Sequence, residues 1–195
     1  TEWFDLARSE YCMELLHGSN LHSVRRSFAA SFEWHCGVWL AAYHNKMMPA
    51  SGNRGLVFSD FTVSNIYIDF DRQCAVAIDP GMQWSRLGFE SEDIVRHLNS
   101  CLYVMCRRRI LPGAPLASFV LAYALTIDRP FRLRGWYRGV FFELRREFID
   151  HFRKSKLRGS VFFLSVLLCA PFYFFLLPAG FCVLSHTRPR LPDDM

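Results

Sequence analysis

Asp60, Asn65 and Asp79 are the residues of this 195-residue chain whose types and spacing could do chemistry. Asp60 follows the apolar run Leu56-Val57-Phe58, Asn65 opens the run Ile66-Tyr67-Ile68, and Asp79 closes the next run, Cys74 to Ile78. A carboxylate on a loop can orient a hydroxyl and take its proton. An amide oxygen and a second carboxylate are hard ligands suited to a divalent cation on a polyphosphate. Together these are the needs of phosphoryl transfer to an alcohol. Each of the three alone is also an ordinary turn residue at a strand end; the joint spacing carries the chemical reading.

Short strands must position this set. Gly55 to Phe58, the β-branched and aromatic Asn65 to Asp69, and the apolar Cys74 to Asp79 are short strand-like runs, and the Asp69 to Gln73 segment turns the second into the third. Such a strand–turn–strand unit brings Asn65 and Asp79 to one edge, with Asp60 on the loop opposite. Asp69 and Asp71 read as a solvated hairpin tip. Around this centre the pattern is helical. The chain from Thr1 to about Met47 is expected to be helical, an uneven apolar set interrupted by a turn at His17 to Asn20 and followed by Phe28, Phe32, Trp39, Leu40 and Tyr43 on recurring three- and four-residue steps. Pro49 to Asn53 reads as a loop. Helix resumes from Glu90, with Ile94, Leu98 and Leu102 on one face, and breaks at Pro112 to Pro115. It continues over Leu116 to Leu125 and Trp136 to Phe152. The Phe141, Phe148 and Phe152 stripe is expected in the core.

The segment around Asp60 resembles the catalytic loop of kinase-like phosphotransferases, the group of aminoglycoside phosphotransferases, choline kinases and lipopolysaccharide kinases. Their loop reads approximately His-Gly-Asp-Phe-His-x-x-Asn, followed by Ile-Asp-x-Gly on the next strand; here the runs are Phe58-Ser59-Asp60-Phe61-Thr62-Val63-Ser64-Asn65 and Ile78-Asp79-Pro80-Gly81. Leu40-Ala41-Ala42-Tyr43-His44 is similar to the end of the preceding helix in that family, and Glu92-Asp93-Ile94-Val95-Arg96-His97-Leu98 to the opening of the following one. The resemblance implies an α+β, mostly helical fold, the protein-kinase-like carboxy-terminal lobe, with a short β-hairpin carrying the catalytic loop (56–81) and an apolar carboxy-terminal helix. It implies Asp60 as catalytic base, Asn65 and Asp79 as Mg²⁺ and nucleotide ligands, ATP as phosphoryl donor, and a hydroxyl on a small molecule, sugar or lipid-linked glycan as acceptor. Asp93 would brace the loop, and His44 would be a packed helix-end histidine. Phe58 and Ser59 replace the family's His and Gly. No glycine-rich loop and no strand Lys with a helix Glu precede the loop. The alternatives are therefore a pseudokinase or binding module without turnover, or, since the chain starts at Thr1, a fragment of a longer kinase.

Composition sets the outer bounds. Hydrophobic residues make up 51% and charged residues 21%, which gives a sizeable core and excludes a disordered chain. A net charge of +5 and a pI near 8.9 suit an anionic substrate or surface but not a nucleic-acid partner. The run Arg107 to Arg109 reads mainly as a solvated face. The seven cysteines are odd in number and form no C-x-x-C pair, which argues against a disulfide framework and a zinc site and fits inert thiols in a reducing compartment. No signal peptide is expected. Residues 161–184 carry no charge and are flanked by Arg153, Lys154, Lys156 and Arg158. The chain thus divides into a lobe (1–158) and an apolar tail (159–195) that is a kinked span, a re-entrant hairpin or a buried helix. Its basic flank places the body in the cytoplasm, at the inner face of a membrane if the tail inserts.

Overall fold

The computed structural model describes residues 3–5, 10–12, 18–48, 54–72, 74–78, 86–129, 132–156, 160 and 171–186. The fold is mostly helical with three small antiparallel strand pairs. The amino-terminal region departs from the helical expectation. Trp3–Asp5 (β1) pairs antiparallel with Glu10–Cys12 (β2), and helix α1 begins only at Ala29, running to Met47. The apolar residues before Ala29 are unevenly spaced, so no continuous helical stripe forms there.

The central elements follow the expected hairpin with shorter strands. Gly55–Leu56 (β3) pairs with Leu87–Gly88 (β6). Ile66–Asp69 (β4) pairs with Cys74–Ala77 (β5), Ile66 opposite Ala77 and Asp69 opposite Cys74. Asp69 Oδ1 accepts the N–H groups of Asp71 and Arg72, closing the turn at its tip. Ser19 and Ile68 exchange two backbone hydrogen bonds of 2.9 Å, tying the segment before α1 to β4.

Helix α2 (Glu90–Arg108) starts where Phe89 N–H donates to Glu92 Oε1, and Glu90, Glu92 and Asp93 lie in its first turn, where the helix dipole favours negative charge. It ends in a Schellman motif. Arg109 takes a left-handed conformation (φ 57°), its N–H bonds the Cys106 carbonyl, and Ile110 N–H bonds that of Met105. Helix α3 (Gly113–Thr126) takes the expected proline loop into its first turn, where a Pro without an N–H is tolerated. Helix α4 spans Leu133–Lys154.

The helices pack by close approach at glycines. A Cβ on Gly37 of α1 would stand 2.5 Å from the Phe119 carbonyl oxygen of α3, and one on Gly139 of α4 would stand 2.0 Å from Ser91 Oγ of α2. The buried face of α4 is Trp136, Val140 and Leu144. Phe141 (66% exposed) and Phe152 (46% exposed) stand at the surface, which corrects their expected place in the core. Steps of four residues from Trp136 define the stripe; Phe141 falls off it, and Phe152 falls on its continuation but past Leu144, the last buried residue of α4.

Phe172–Leu176 forms a π-helical turn that leads into α5 (Leu177–His186), and Tyr173, Leu177 and Phe181 are buried in the main core. Pro178 cannot donate to the preceding turn. The two carbonyls it would serve in π or α register, those of Tyr173 and Phe174, instead accept Trp136 Nε1–H (2.9 Å) and the Tyr137 hydroxyl (3.2 Å). Among the described residues, no helix is long and apolar enough to cross a membrane; residues 161–170 lie outside them.

Two substitutions test this packing in opposite directions. Gly37→Ala should lower stability by about 1–3 kcal/mol, because the added methyl group meets backbone that cannot yield. Arg109→Gly should raise it by about 0.5–1 kcal/mol, since glycine removes the left-handed penalty at a cost in unfolded-chain entropy. Urea unfolding should show both as midpoint shifts at unchanged m-value.

Candidate functional site

The loop between β3 and β4 is held from helix α2. Asp93, 1% exposed, accepts Phe58 N–H on Oδ2 (2.8 Å) and Ser59 N–H on Oδ1 (2.9 Å). His44 Nε2 lies 3.1 Å from Asp93 Oδ2, and its Nδ1 lies 2.8 Å from the Tyr123 hydroxyl, which donates to Glu90 Oε2 (3.0 Å). Arg129 continues the network to Glu90 and donates to the His44 and Met48 carbonyls at the end of α1. Burial, then the neighbouring Glu90 carboxylate, push the Tyr123 hydroxyl well above the usual tyrosine range, so it stays a neutral donor. Asp93 and His44 thus occupy the bracing and packed positions expected of them.

Pinned in this way, the loop turns at Ser59, whose φ of 64° is left-handed. That conformation explains why a glycine suits this position in the family that the loop resembles. Phe58 is buried in an aromatic cluster, with Trp39, Tyr43 and Phe61 rings at 5.5, 5.7 and 5.9 Å, all near perpendicular. It packs where a histidine would hydrogen-bond.

Asp60 and Asn65 come together. Asn65 Nδ2–H donates to Asp60 Oδ2 (2.9 Å) and to the Asp60 carbonyl (3.2 Å), and the Asp60 side chain is 34% exposed. Because the amide nitrogen faces Asp60, the Asn65 carbonyl oxygen is the atom it would offer a hard cation. Ile78 N–H donates to the Asn65 backbone carbonyl (2.8 Å). Asp79, the residue after Ile78, lies outside the described residues.

A second network, not foreseen in the sequence, reaches Asp60 from behind. Arg96 donates to Asp60 Oδ1 (3.1 Å) and through Nε to Glu143 Oε1 (2.8 Å). Arg146 bonds the same Glu143 and the Ser59 carbonyl. Burial works against the charge on Arg96, but Glu143, Glu147 and Asp60 outweigh it and hold its pKa above the ordinary value. Burial pushes the Glu143 carboxyl up, although Arg96 and Arg146 pull it down. Glu147, bonded by Asn99 (2.7 Å), is pushed up to about 7 by burial and by the adjacent Glu143. Of the Arg107 to Arg109 run, Arg108 is a structural pin that donates to the Leu21 and Val24 carbonyls.

The cysteines include an unexpected pair of neighbours. Glu33, Cys36, His97 and Cys101 are all fully buried between α1 and α2. Burial, then Glu33, push both thiols well above the usual range. The signal in the sequence is Glu33-x-x-Cys36 and His97-x-x-x-Cys101, each pair one helical turn apart.

The raised pKa of Glu147 sets a pH dependence. A carboxyl at about 7 in the folded chain and 4.5 in the unfolded chain favours folding fully below pH 4.5, and this contribution is lost as pH rises to 7. Partial exposure of the residue reduces its size to the order of 2 kcal/mol. Glu147→Gln should flatten stability against pH across that window, measured by urea unfolding at closely spaced pH values.

No family profile, curated protein or solved structure matches this chain, so the chemistry attributed to it rests on the residues just described.

Proposed function

We propose that this chain carries a kinase-like phosphotransfer site that moves the γ-phosphoryl group of ATP to a hydroxyl of a small molecule, sugar or lipid-linked glycan. The observation that carries the reading is the loop itself: Asp93 fixes Phe58 and Ser59 by their N–H groups, and Asp60 and Asn65 then meet at 2.9 Å. Asp60 would orient the acceptor hydroxyl and take its proton as the new O–Pγ bond forms. The bond from Pγ to the β,γ-bridging oxygen breaks, and ADP leaves with the electron pair. Asn65 and Asp79 would hold Mg²⁺, which, when bound, supplies neutralisation of phosphate charge. The basic residues ahead of the apolar tail support a place at the cytoplasmic face of a membrane, where a lipid-linked acceptor would lie.

One observation favours a second reading, a nucleotide-binding module without turnover. Both carboxylate oxygens of Asp60 are already engaged, one by Arg96 and one by Asn65, so the group has a structural role, tying the loop to α2, that needs no acceptor hydroxyl.

Calorimetric titration with Mg²⁺ and ATP, beside an ADP-release assay over an acceptor panel, separates the two. Phosphotransfer predicts binding that is lost in Asp79→Asn and kept in Asp60→Asn, with turnover falling about 10²–10⁴-fold in Asp60→Asn. Binding with the same dependence on Asp79 but no ADP release with any acceptor favours the second reading. A folded wild-type chain that binds no Mg·ATP overturns both.

A further inference from the structure

Between α1 and α2, one turn below the loop, lies a group of side chains that phosphoryl transfer does not use. One ligand atom each from Glu33, Cys36 and His97 lies within 4.8 Å of the other two. The Cys101 thiol stands 3.1 Å from Glu33 Oε1 and 3.2 Å from His97 Nε2, and that same nitrogen is 2.7 Å from Glu33 Oε2. All four residues have no exposed surface. Cysteine is a common core residue, but a fully buried glutamate and histidine are not. Among the described residues, no Lys or Arg forms an ion pair with Glu33. The imidazole is crowded on one side and unserved on the other, since its buried Nδ1 has no hydrogen-bond partner.

We propose that Glu33, Cys36, His97 and Cys101 form a structural site for zinc or a closely similar thiophilic divalent cation. The donors are one oxygen, one nitrogen and two sulfurs, a set that borderline-soft Zn²⁺ takes in tetrahedral geometry. Bonds of the usual zinc lengths place neighbouring ligand atoms roughly 3.3–3.8 Å apart; the Glu33, His97 and Cys101 atoms, 2.7 to 3.2 Å apart, need only small shifts, and Cys36 closes in from within 4.8 Å of Glu33 and His97. On binding, two S–H bonds break, two sulfur–metal bonds form, and two protons pass to solvent. With neutral His97 the site carries a net charge of −1, as a Cys₃His site does. Mg²⁺ prefers all-oxygen ligands, so this site is chemically separate from the one assigned to Asn65 and Asp79.

The position gives the cation a purpose. Its ligands come in pairs from two helices, so it would staple α1 to α2. The His97 ring lies 5.0 Å from the ring of Phe61, the residue next to Asp60, and 4.7 Å from that of Phe119 on α3. Fixing His97 therefore fixes the floor on which the loop rests.

Titration of the chelator-treated full chain with Co²⁺, then Zn²⁺, tests the assignment. One equivalent of Co²⁺ should give tetrahedral d–d bands and thiolate-to-metal charge-transfer absorption, and Zn²⁺ should abolish both. Cys36→Ser and Cys101→Ser should each remove about half of the charge-transfer intensity and weaken binding by more than the roughly 10–100-fold that loss of an outer-shell partner costs. Cys106→Ser, at an exposed thiol, should change nothing. A weakly absorbing octahedral spectrum, or no spectrum from the folded wild-type chain, overturns the proposal even if the variants fail to fold. So does charge transfer that survives in the Cys36→Ser/Cys101→Ser double variant.

Discussion

The centre of this structure depends on one buried carboxylate. Asp93 sits at 1% exposure in the first turn of α2 and accepts from two successive backbone N–H groups of the loop, with His44 beside it. An uncompensated charge at that depth would cost several kcal/mol, whereas bonds to a charged acceptor contribute about 1.5–3 kcal/mol each. The two N–H groups in turn find their acceptor here, at the left-handed turn of Ser59. The chain therefore has a strong local reason to keep loop, α1 and α2 in one arrangement. The reactive-looking side chains are placed by that arrangement and do not create it.

The same constraint explains how an apolar side chain can stand at position 58. Asp93 already fixes the backbone of the loop, so the side chain at position 58 is left to fill space among Trp39, Tyr43 and Phe61. Aromatic packing contributes through buried area and edge-to-face contact, and it needs no polar partner. Phe58 thus supports the loop by packing alone.

Local sequence made part of this legible. Asp60 and Asn65 are five residues apart, and their contact closes within one turn, so their spacing carries the information. The hairpin of β4 and β5 was readable because its runs alternate and its turn has an Asp that caps it. What stayed hidden depends on partners far along the chain. Arg96 reads as one more charge on a helix until α4 brings Glu143 to it, and Glu33 and His97 are 64 residues apart. The cluster of Glu33, Cys36, His97 and Cys101 stayed hidden for a related reason: a C-x-x-C search looks within one turn, whereas here two helices each present a pair. The exposure of Phe141 was hidden because the α4 periodicity supports more than one stripe, and Trp136 decides between them by packing on Phe181.

The loop and α2 match residue by residue. Phe58 and Ser59 bond Asp93, Asp60 bonds Arg96, Phe61 packs on His97, and Val63 N–H donates to Ser100 Oγ (3.1 Å). Seven helical steps from Asp93 to Ser100 advance about 10 Å, whereas five extended residues from Phe58 to Val63 reach about 16–18 Å. An extended loop would overshoot its partners, so it has to contract. The left-handed Ser59 and the hydrogen bond from Thr62 N–H to the Asp60 carbonyl (2.8 Å) take up the slack, and Asn65 N–H to the Thr62 carbonyl (2.9 Å) turns the chain into β4. The contraction also brings Asn65 back to Asp60. The contact that most resembles a reactive centre is thus a geometric consequence of laying a short loop along a helix whose rise per residue is less than half its own.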